Sequence, residues 1–77
     1  MEENMNYRYR LRLETLSDVK AFVDIVSKYD GDIILTDGQN YVVNAKSVLG
    51  AMYSIEWNEL YVSSDIDIYT QIRQFTI

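Results

Sequence analysis

Near the middle of the chain, residues 43–50 read Val-Asn-Ala-Lys-Ser-Val-Leu-Gly. The apolar residues that lead into this stretch predict a strand, and Ser47 then stands where the next helix should begin. A serine hydroxyl at an N-cap accepts a hydrogen bond from an amide of the first helical turn that has no other partner. The stretch therefore predicts a strand, a short corner and a capped helix over about residues 48–54.

The length and composition of the chain indicate one folded domain. Its 77 residues leave no room for a second domain, and 48% of them are hydrophobic. The formal net charge of −5 argues against general binding to nucleic acid or to an anionic membrane, because both require a positive surface. The chain contains no cysteine and no histidine, which excludes disulfides and the usual catalytic dyads. We therefore expect a cytoplasmic protein that is not an enzyme and holds no metal or cofactor.

The first part of the chain predicts a strand and a helix. Residues 1–6 are polar and are expected to form a flexible N-terminus, so the domain spans residues 7–77. Residues 7–13 alternate between large apolar side chains and arginines, which predicts a strand with one buried face. The helix should start at Thr15 or Ser17, with Asp18 completing a capping box, and should be followed by a left-handed cap at Gly31. Its inner face is expected to carry Val19, Phe22, Val23, Val26 and Tyr29.

The remaining elements are a hairpin, the helix after Ser47, a strand and a last helix. Residues 33–35 form a short strand, and residues 39–44 should return antiparallel to it because Asp37-Gly38 is favoured in type I′ turns. Residues 59–63 alternate as a fourth strand. Residues 64–67 should open the last helix with a capping box, and its inner residues are Ile68, Ile72 and Phe75. The order β-α-β-β-α-β-α predicts a two-layer α+β domain.

The segment from Asn44 to Gly50 resembles the one that carries the regulatory serine in the HPr family. HPr proteins are the small phosphocarriers of the bacterial sugar phosphotransferase system. The element order is also similar to that of the family, so the resemblance extends from Tyr7 to about Phe75. It implies a four-stranded antiparallel sheet in the order 1-4-2-3, with three helices on one face.

The resemblance also implies that the family's phosphocarrier activity is missing here. The positions of the phospho-acceptor histidine, of an arginine and of a proline fall on Thr15, Ser17 and Asp18, so none of the three is retained. A phosphothreonine lacks the transfer potential of a phosphohistidine, and Asp18 would repel a phosphate. We expect no phosphate transfer from phosphoenolpyruvate and interpret Thr15 and Ser17 as helix caps. The alternative is an enzyme or carrier that uses one of these three residues as its nucleophile.

Ser47 matches the family position that a dedicated kinase phosphorylates, and the phosphorylated form binds a catabolite-control transcription regulator. The resemblance makes Ser47 a candidate phosphorylation site, while the plain alternative is an ordinary N-cap. Val48, Leu49 and Met52 lie at positions that face partner proteins in the family, and we expect these three residues and Lys46 to bind a partner. The alternative is that the side chains of Val48, Leu49 and Met52 pack on the sheet. A helix of two turns cannot bury all of them, so we expect at least one to be exposed.

Two further groups of residues each have two interpretations. The arginines at positions 8, 10 and 12 could hold a phosphate group or an acidic partner. We favour the alternative that they pair with Glu59 and Asp32 across strands. Trp57 and Tyr53 could form a surface for self-association, but we favour a role in closing the edge of the core.

Together these observations predict an HPr-like binding or regulatory module, related to the phosphoenolpyruvate-dependent sugar phosphotransferase system but without histidine phosphocarrier activity. Phosphorylation on Ser47 would regulate it. Its partners would be proteins, such as a kinase or a transcription regulator, rather than nucleic acid or membranes. The alternative is a structural interaction protein, either a homodimer or an adaptor, in which phosphorylation has no part.

Overall fold

The computed structural model describes residues 6–77, which form a layer of strands and a layer of helices. The strands are β1 (Tyr7–Arg10), β2 (Ile33–Thr36), β3 (Val42–Asn44) and β4 (Tyr61–Ser64). The helices are α1 (Leu16–Val26), α2 (Val48–Ser54) and α3 (Tyr69–Ile72), and a 3₁₀ turn at Arg73–Phe75 follows α3. Apart from Asn6, the flexible N-terminus predicted over residues 1–6 lies outside the described residues. Within the described range, no helix is long and apolar enough to cross a membrane.

All pairs of neighbouring strands are antiparallel, and the strand order in the sheet is β1-β4-β2-β3. This result confirms the predicted α+β class, the sheet order 1-4-2-3 and the helices on one face. β4 is a central strand, and its register pairs Val62 with Tyr9 on one side and with Leu35 on the other. The first and last strands of the chain are therefore neighbours, and the hairpin of β2 and β3 completes the sheet.

The core lies between the sheet and the helices because alternate strand residues and one face of each helix are apolar. The inner face of α1 is buried as predicted, through Val19, Phe22, Val23 and Val26. The predicted inner residues Ile68, Ile72 and Phe75 are buried as well. The rings of Phe22 and Phe75 meet edge to face, with their centroids 5.8 Å apart. Tyr29 lies beyond the end of α1 and is only partly buried against this core.

The first strand is shorter than predicted, although its inner face is largely correct. Regular pairing ends at Arg10, while Leu11 and Leu13 are buried as expected. Tyr9 is partly buried, but Tyr7 is 37% exposed and does not join the buried face.

The C-terminal residues cover the outer edge of β1 near its end. The amide of Arg12 donates a hydrogen bond to the carbonyl of Phe75 at 2.8 Å. The amide of Ile77 donates to the carbonyl of Arg10 at 3.1 Å. These bonds satisfy backbone groups that an edge strand would otherwise expose to other chains.

The connection between β2 and β3 is not the predicted two-residue type I′ turn. The strand register leaves residues 37–41 in the loop. Type I′ turns need positive φ at both central residues, but within the described range only Gly38 has positive φ, at 82°. The Asp37 side chain shapes this longer loop, because its Oδ1 atom accepts hydrogen bonds at 2.9 Å from the amides of Gln39, Asn40 and Tyr41.

The Asp37 carboxylate is expected to make folding stability depend on pH. Hydrogen bonds from the amides of Tyr41 and then Gln39 hold the pKa of Asp37 below its ordinary value. Because the folded-state pKa is the lower one, this stabilisation is present above the unfolded pKa of about 4 and is lost as pH falls through the folded pKa. As pH falls from about 5 to about 2, the free energy of unfolding should therefore decrease less in Asp37→Ala than in the wild type. Denaturant unfolding at each pH measures this difference. Equal losses in the two proteins would contradict this assignment.

The predicted glycine cap of α1 is wrong. α1 ends at Val26, and its C-cap residue Ser27 has a right-handed helical conformation. Gly31 does not have positive φ. A Cβ at position 31 would lie 2.6 Å from Oδ1 of Asp65, but this atom ends an exposed side chain that can move aside, so the contact does not require a glycine.

The last helix begins later than predicted. Ser64, the predicted N-cap, is the final residue of β4 and pairs with both β1 and β2. α3 starts at Tyr69 instead, without a side-chain cap. Asp67, the predicted capping-box acid, accepts hydrogen bonds from the Tyr69 amide at 3.0 Å and from the Tyr9 hydroxyl at 3.2 Å. Strand pairing thus overrides the local capping signal at Ser64.

Candidate functional site

Ser47 is the N-cap of α2, as predicted. Its backbone is extended, and its hydroxyl accepts a hydrogen bond from the amide of Gly50 at 3.1 Å. Asn44 holds the corner that precedes it, since its side-chain oxygen accepts from the amide of Lys46 at 2.9 Å and its carbonyl accepts from the amide of Ser47 at 3.1 Å. The serine is therefore fixed at the point where the chain leaves the sheet, and its side chain is half-buried.

Gly50 allows α2 to pack closely on β3. A Cβ at position 50 would lie only 3.2 Å from the Cβ atom of Val43 and 3.4 Å from the carbonyl oxygen of Asn44. A glycine inside a helix costs about 1 kcal/mol relative to alanine. The close approach accounts for this glycine, and it places the first turn of α2 directly against the sheet.

The outer side of α2 is apolar and exposed. Val48 is 41% exposed, Leu49 78% and Met52 41%, so the prediction that at least one would be exposed is confirmed for all three. The inner side of the helix is formed by Ala51 and Ser54, both fully buried. We call the exposed side the α2 surface and define it by Val48, Leu49, Met52 and Tyr53.

Tyr53 belongs to this surface and not to the edge of the core, where we expect it from the sequence. Its side chain is 73% exposed. The spacing of four residues from Leu49 was the signal that could have placed both side chains on one side of the helix. The predicted role of Tyr53 in core closure is therefore wrong.

Lys46, predicted as a partner-binding residue, is half-buried. Its ammonium group donates a hydrogen bond to the backbone carbonyl of Tyr29, just after the end of α1. This contact ties the start of α2 to the end of α1. Lys46 thus positions the helix that carries the α2 surface.

Thr15 and Asp18, which the resemblance places in the phosphocarrier loop, form a helix cap. The Thr15 hydroxyl accepts from the Asp18 amide at 3.1 Å. The Asp18 carboxylate in turn accepts from the amides of Thr15 at 3.2 Å and of Glu14 at 3.0 Å. This geometry confirms the predicted capping box and identifies Thr15, rather than Ser17, as the N-cap. Ser17 is exposed within the first turn of α1.

The structure does not bring Ser47 and this capping box together. The start of α2 contacts the end of α1 through Lys46 and Tyr29. The end of α2, at Ser54, shares a cleft of about 360 Å³ with Glu14, which precedes α1. The two helices therefore run in opposite directions, and the two predicted groups of site residues lie at opposite ends of the pair.

Trp57 closes the edge of the core, as predicted. It is partly buried and packs against the core cluster. Its ring also stacks on Tyr41, with the centroids 5.6 Å apart and the planes 16° from parallel. Periodicity gave no signal for this stack, because it joins the loop after β2 to the segment that follows α2.

The predicted cross-strand pairing is wrong for Arg10 and Arg12, which form no ion pair with Glu59 or Asp32 among residues 6–77. The Arg8 guanidinium lies 5.8 Å from the centre of the Tyr61 ring. Nε of Arg12 lies 3.9 Å from a carboxylate oxygen of its neighbour Glu14. Glu59 instead accepts a hydrogen bond from the Tyr61 hydroxyl at 2.6 Å, which raises the pKa of Tyr61.

Neither a metal cluster nor a known relative identifies the site. Among residues 6–77, no three potential ligand side chains lie close enough together to hold a metal ion. No family model matches the sequence, and no curated protein or solved structure is significantly similar to the chain. The resemblance to the HPr family therefore stays a prediction that rests on residues 44–50 and on the element order.

Proposed function

We propose that this chain is a cytoplasmic HPr-like binding and regulatory module that is not an enzyme and does not carry phosphate on histidine. It would be related to the sugar phosphotransferase system through the resemblance around Ser47. Its working surface is Ser47 together with the α2 surface. The observation that carries the proposal is the 78% exposure of Leu49, two residues after the serine that caps the helix.

The chemistry of the α2 surface favours a protein partner. Burying apolar side chains that are exposed in the free protein favours a complex, and the part that exceeds the cost of lost translational, rotational and side-chain freedom appears as affinity. Met52 has a flexible side chain that adapts to different partner shapes. Tyr53 adds an aromatic ring, the kind of side chain that often dominates binding energy at interfaces.

Phosphorylation of Ser47 would change which partner this surface accepts. A phosphoserine adds a charge of about −1.5 to −2 near neutral pH. The first turn of α2 contains no acidic residue that would repel this charge. The dianion would lie next to Val48 and Leu49, so a partner suited to the phosphorylated form would need cationic groups beside its apolar contacts.

We expect an HPr-type serine kinase with ATP to add one phosphate to the wild type and none to Ser47→Ala, measured by intact mass spectrometry. Ser17→Ala is the matched control, because Ser17 also lies in the first residues of a helix, and it should be labelled like the wild type. Loss of the cap should cost Ser47→Ala about 1 kcal/mol, so its folding is checked by circular dichroism. Labelling of Ser47→Ala, or an unlabelled wild type beside a labelled HPr substrate, would contradict the proposal.

The exposure of the α2 surface also favours a second candidate, a structural interaction protein without phosphorylation. The hydrogen bond that the Ser47 hydroxyl accepts from the Gly50 amide is enough to explain a serine at this position without phosphorylation. For a homodimer, light scattering at micromolar concentration should give twice the monomer mass, and Leu49→Ser should restore the monomer. If the wild type is a monomer, the homodimer is excluded, and a structural interaction protein would then be an adaptor.

A further inference from the structure

A cleft of about 320 Å³ opens at one end of the sheet, where the loop after β2 meets the segment after α2. Its walls include the stacked rings of Tyr41 and Trp57. Tyr41 is 57% exposed, so the part of its ring that does not contact Trp57 is accessible to a ligand. We call this place the aromatic cleft and define it by Asp37, Tyr41, Glu56, Trp57 and Glu59.

Among residues 6–77, every charged side chain that lines the aromatic cleft is acidic. These side chains are Asp37, Glu56 and Glu59. Arg8 and Arg10 lie beside Tyr61, outside the cleft. The whole chain also has a formal net charge of −5. A cationic group of a partner is therefore attracted both to the protein and to this cleft.

The three carboxylates differ in what already binds them. Oδ1 of Asp37 accepts hydrogen bonds from three loop amides, chiefly that of Tyr41, which hold the pKa of Asp37 low and keep it ionised near neutral pH. Glu59 accepts a hydrogen bond from the Tyr61 hydroxyl at 2.6 Å. Glu56 is exposed, and its carboxylate makes no hydrogen bond or ion pair with any of residues 6–77. Of the three, Glu56 is therefore the most available to an external cation.

An aromatic ring beside a free carboxylate favours the guanidinium of arginine over other cations. A guanidinium is planar, so it stacks on an aromatic ring while its N–H groups donate to a carboxylate. The ammonium group of lysine is a compact charge that is more strongly hydrated, so it gains less from such a place. A metal ion does not fit, because among residues 6–77 no three potential ligand side chains lie close enough together to hold one.

We propose that the aromatic cleft binds an arginine side chain of a partner protein, whose guanidinium stacks on Tyr41 and donates hydrogen bonds to Glu56. Charge-assisted hydrogen bonds between a guanidinium and a carboxylate fix the orientation of the side chain as well as attract it. Asp37 adds a second negative charge to the same cleft. Within residues 6–77, the lining of the cleft includes neither Ser47 nor any residue of the α2 surface, so binding here does not depend on phosphorylation.

The test titrates a capped peptide of alternating arginine and serine into the ¹⁵N-labelled protein. Amide shifts should concentrate on residues 37–41 and 56–59, and the fluorescence of Trp57, the single tryptophan of the chain, should change with them. A peptide with citrulline, which has the shape of arginine but no charge, should bind at least about tenfold more weakly. A peptide with lysine should bind about threefold more weakly, because it lacks the planar group. Shifts centred on the α2 surface, or binding of either control as tight as that of the arginine peptide, would overturn the proposal.

Two pairs of variants separate a site from general attraction to an acidic protein. Glu56→Gln should weaken binding of the arginine peptide about fivefold, whereas Asp24→Asn, which removes the same charge from an exposed position on α1, should change the dissociation constant less than about twofold. Tyr41→Leu should weaken binding about threefold because it removes the ring on which the guanidinium stacks. Tyr53→Leu removes a ring that is 73% exposed on the α2 surface and should leave binding unchanged. An unchanged ¹⁵N spectrum away from the substitution verifies that each variant is folded. Equal weakening within either pair would overturn the proposal.

Discussion

Replacement of Phe22 by alanine is expected to lower the free energy of unfolding by about 4 kcal/mol. Phe22 is fully buried, and its ring contacts that of Phe75 edge to face, so truncation leaves a cavity between α1 and the C-terminal turn. A domain of this size has a total stability of about 4–12 kcal/mol, so the loss is a large fraction of it. Denaturant unfolding followed by the fluorescence of Trp57, the single tryptophan of the chain, measures the effect.

Leu49→Ala is the matched control for this prediction. It also removes a large apolar side chain, but from a position that is 78% exposed. We expect it to change the free energy of unfolding by less than about 0.5 kcal/mol. Similar losses in the two variants would contradict the placement of Phe22 in the core and of Leu49 on the α2 surface.

Replacement of Gly38 by valine is expected to cost about 2–3 kcal/mol of stability. Gly38 has a φ of 82°, a conformation that a β-branched residue rarely adopts. A Cβ at this position would also lie 3.2 Å from the Tyr61 ring. Thermal or denaturant unfolding measures the loss.

Gly38→Asn separates the backbone strain from the steric contact. Asparagine brings the same Cβ toward Tyr61 but tolerates the left-handed region better than valine does. We expect a smaller loss, about 1 kcal/mol. If asparagine destabilises the protein as much as valine does, the contact with the ring, rather than the backbone conformation, limits this position.

Local signals in the sequence predicted the starts of the first two helices correctly. Thr15 and Asp18 form the capping box that their spacing indicated, and Ser47 caps a helix with the bounds expected for it. In both places the capping hydrogen bonds join residues three positions apart, so the sequence contains the whole interaction. The buried stripe of α1 was predictable for the same reason.

The sequence failed where distant residues compete for the same groups. Ser64 has a capping-box spacing, but pairing with β1 and β2 makes it the end of a strand. Asp37-Gly38 has a hairpin dipeptide, but the Asp37 carboxylate binds three following amides and builds a longer loop. Neither outcome can be deduced from the local pattern, because both depend on which other elements lie nearby.

The candidate site was predictable only in part. The exposure of the apolar residues on α2 followed from the shortness of the helix, which has only one side against the sheet. The sequence did not predict that Ser47 and Thr15 lie far apart, because their separation depends on how α2 packs against α1. The same holds for the stack of Tyr41 on Trp57, which joins two loops.

The covering of the β1 edge by the C-terminal residues has a consequence for the order in which the protein folds during synthesis. β1 pairs with β4, and the hydrogen bond from Arg8 to Ser63 spans 55 positions of the chain. At the outer edge of β1, the carbonyl of Arg10 accepts a hydrogen bond from the amide of Ile77. A nascent chain can form α1 and the hairpin of β2 and β3 from nearby residues, whereas contacts between distant residues form slowly. Within this sheet, β1 is thus the first strand to be synthesised and the last to be secured, because its neighbours β4 and Ile77 come later in the chain.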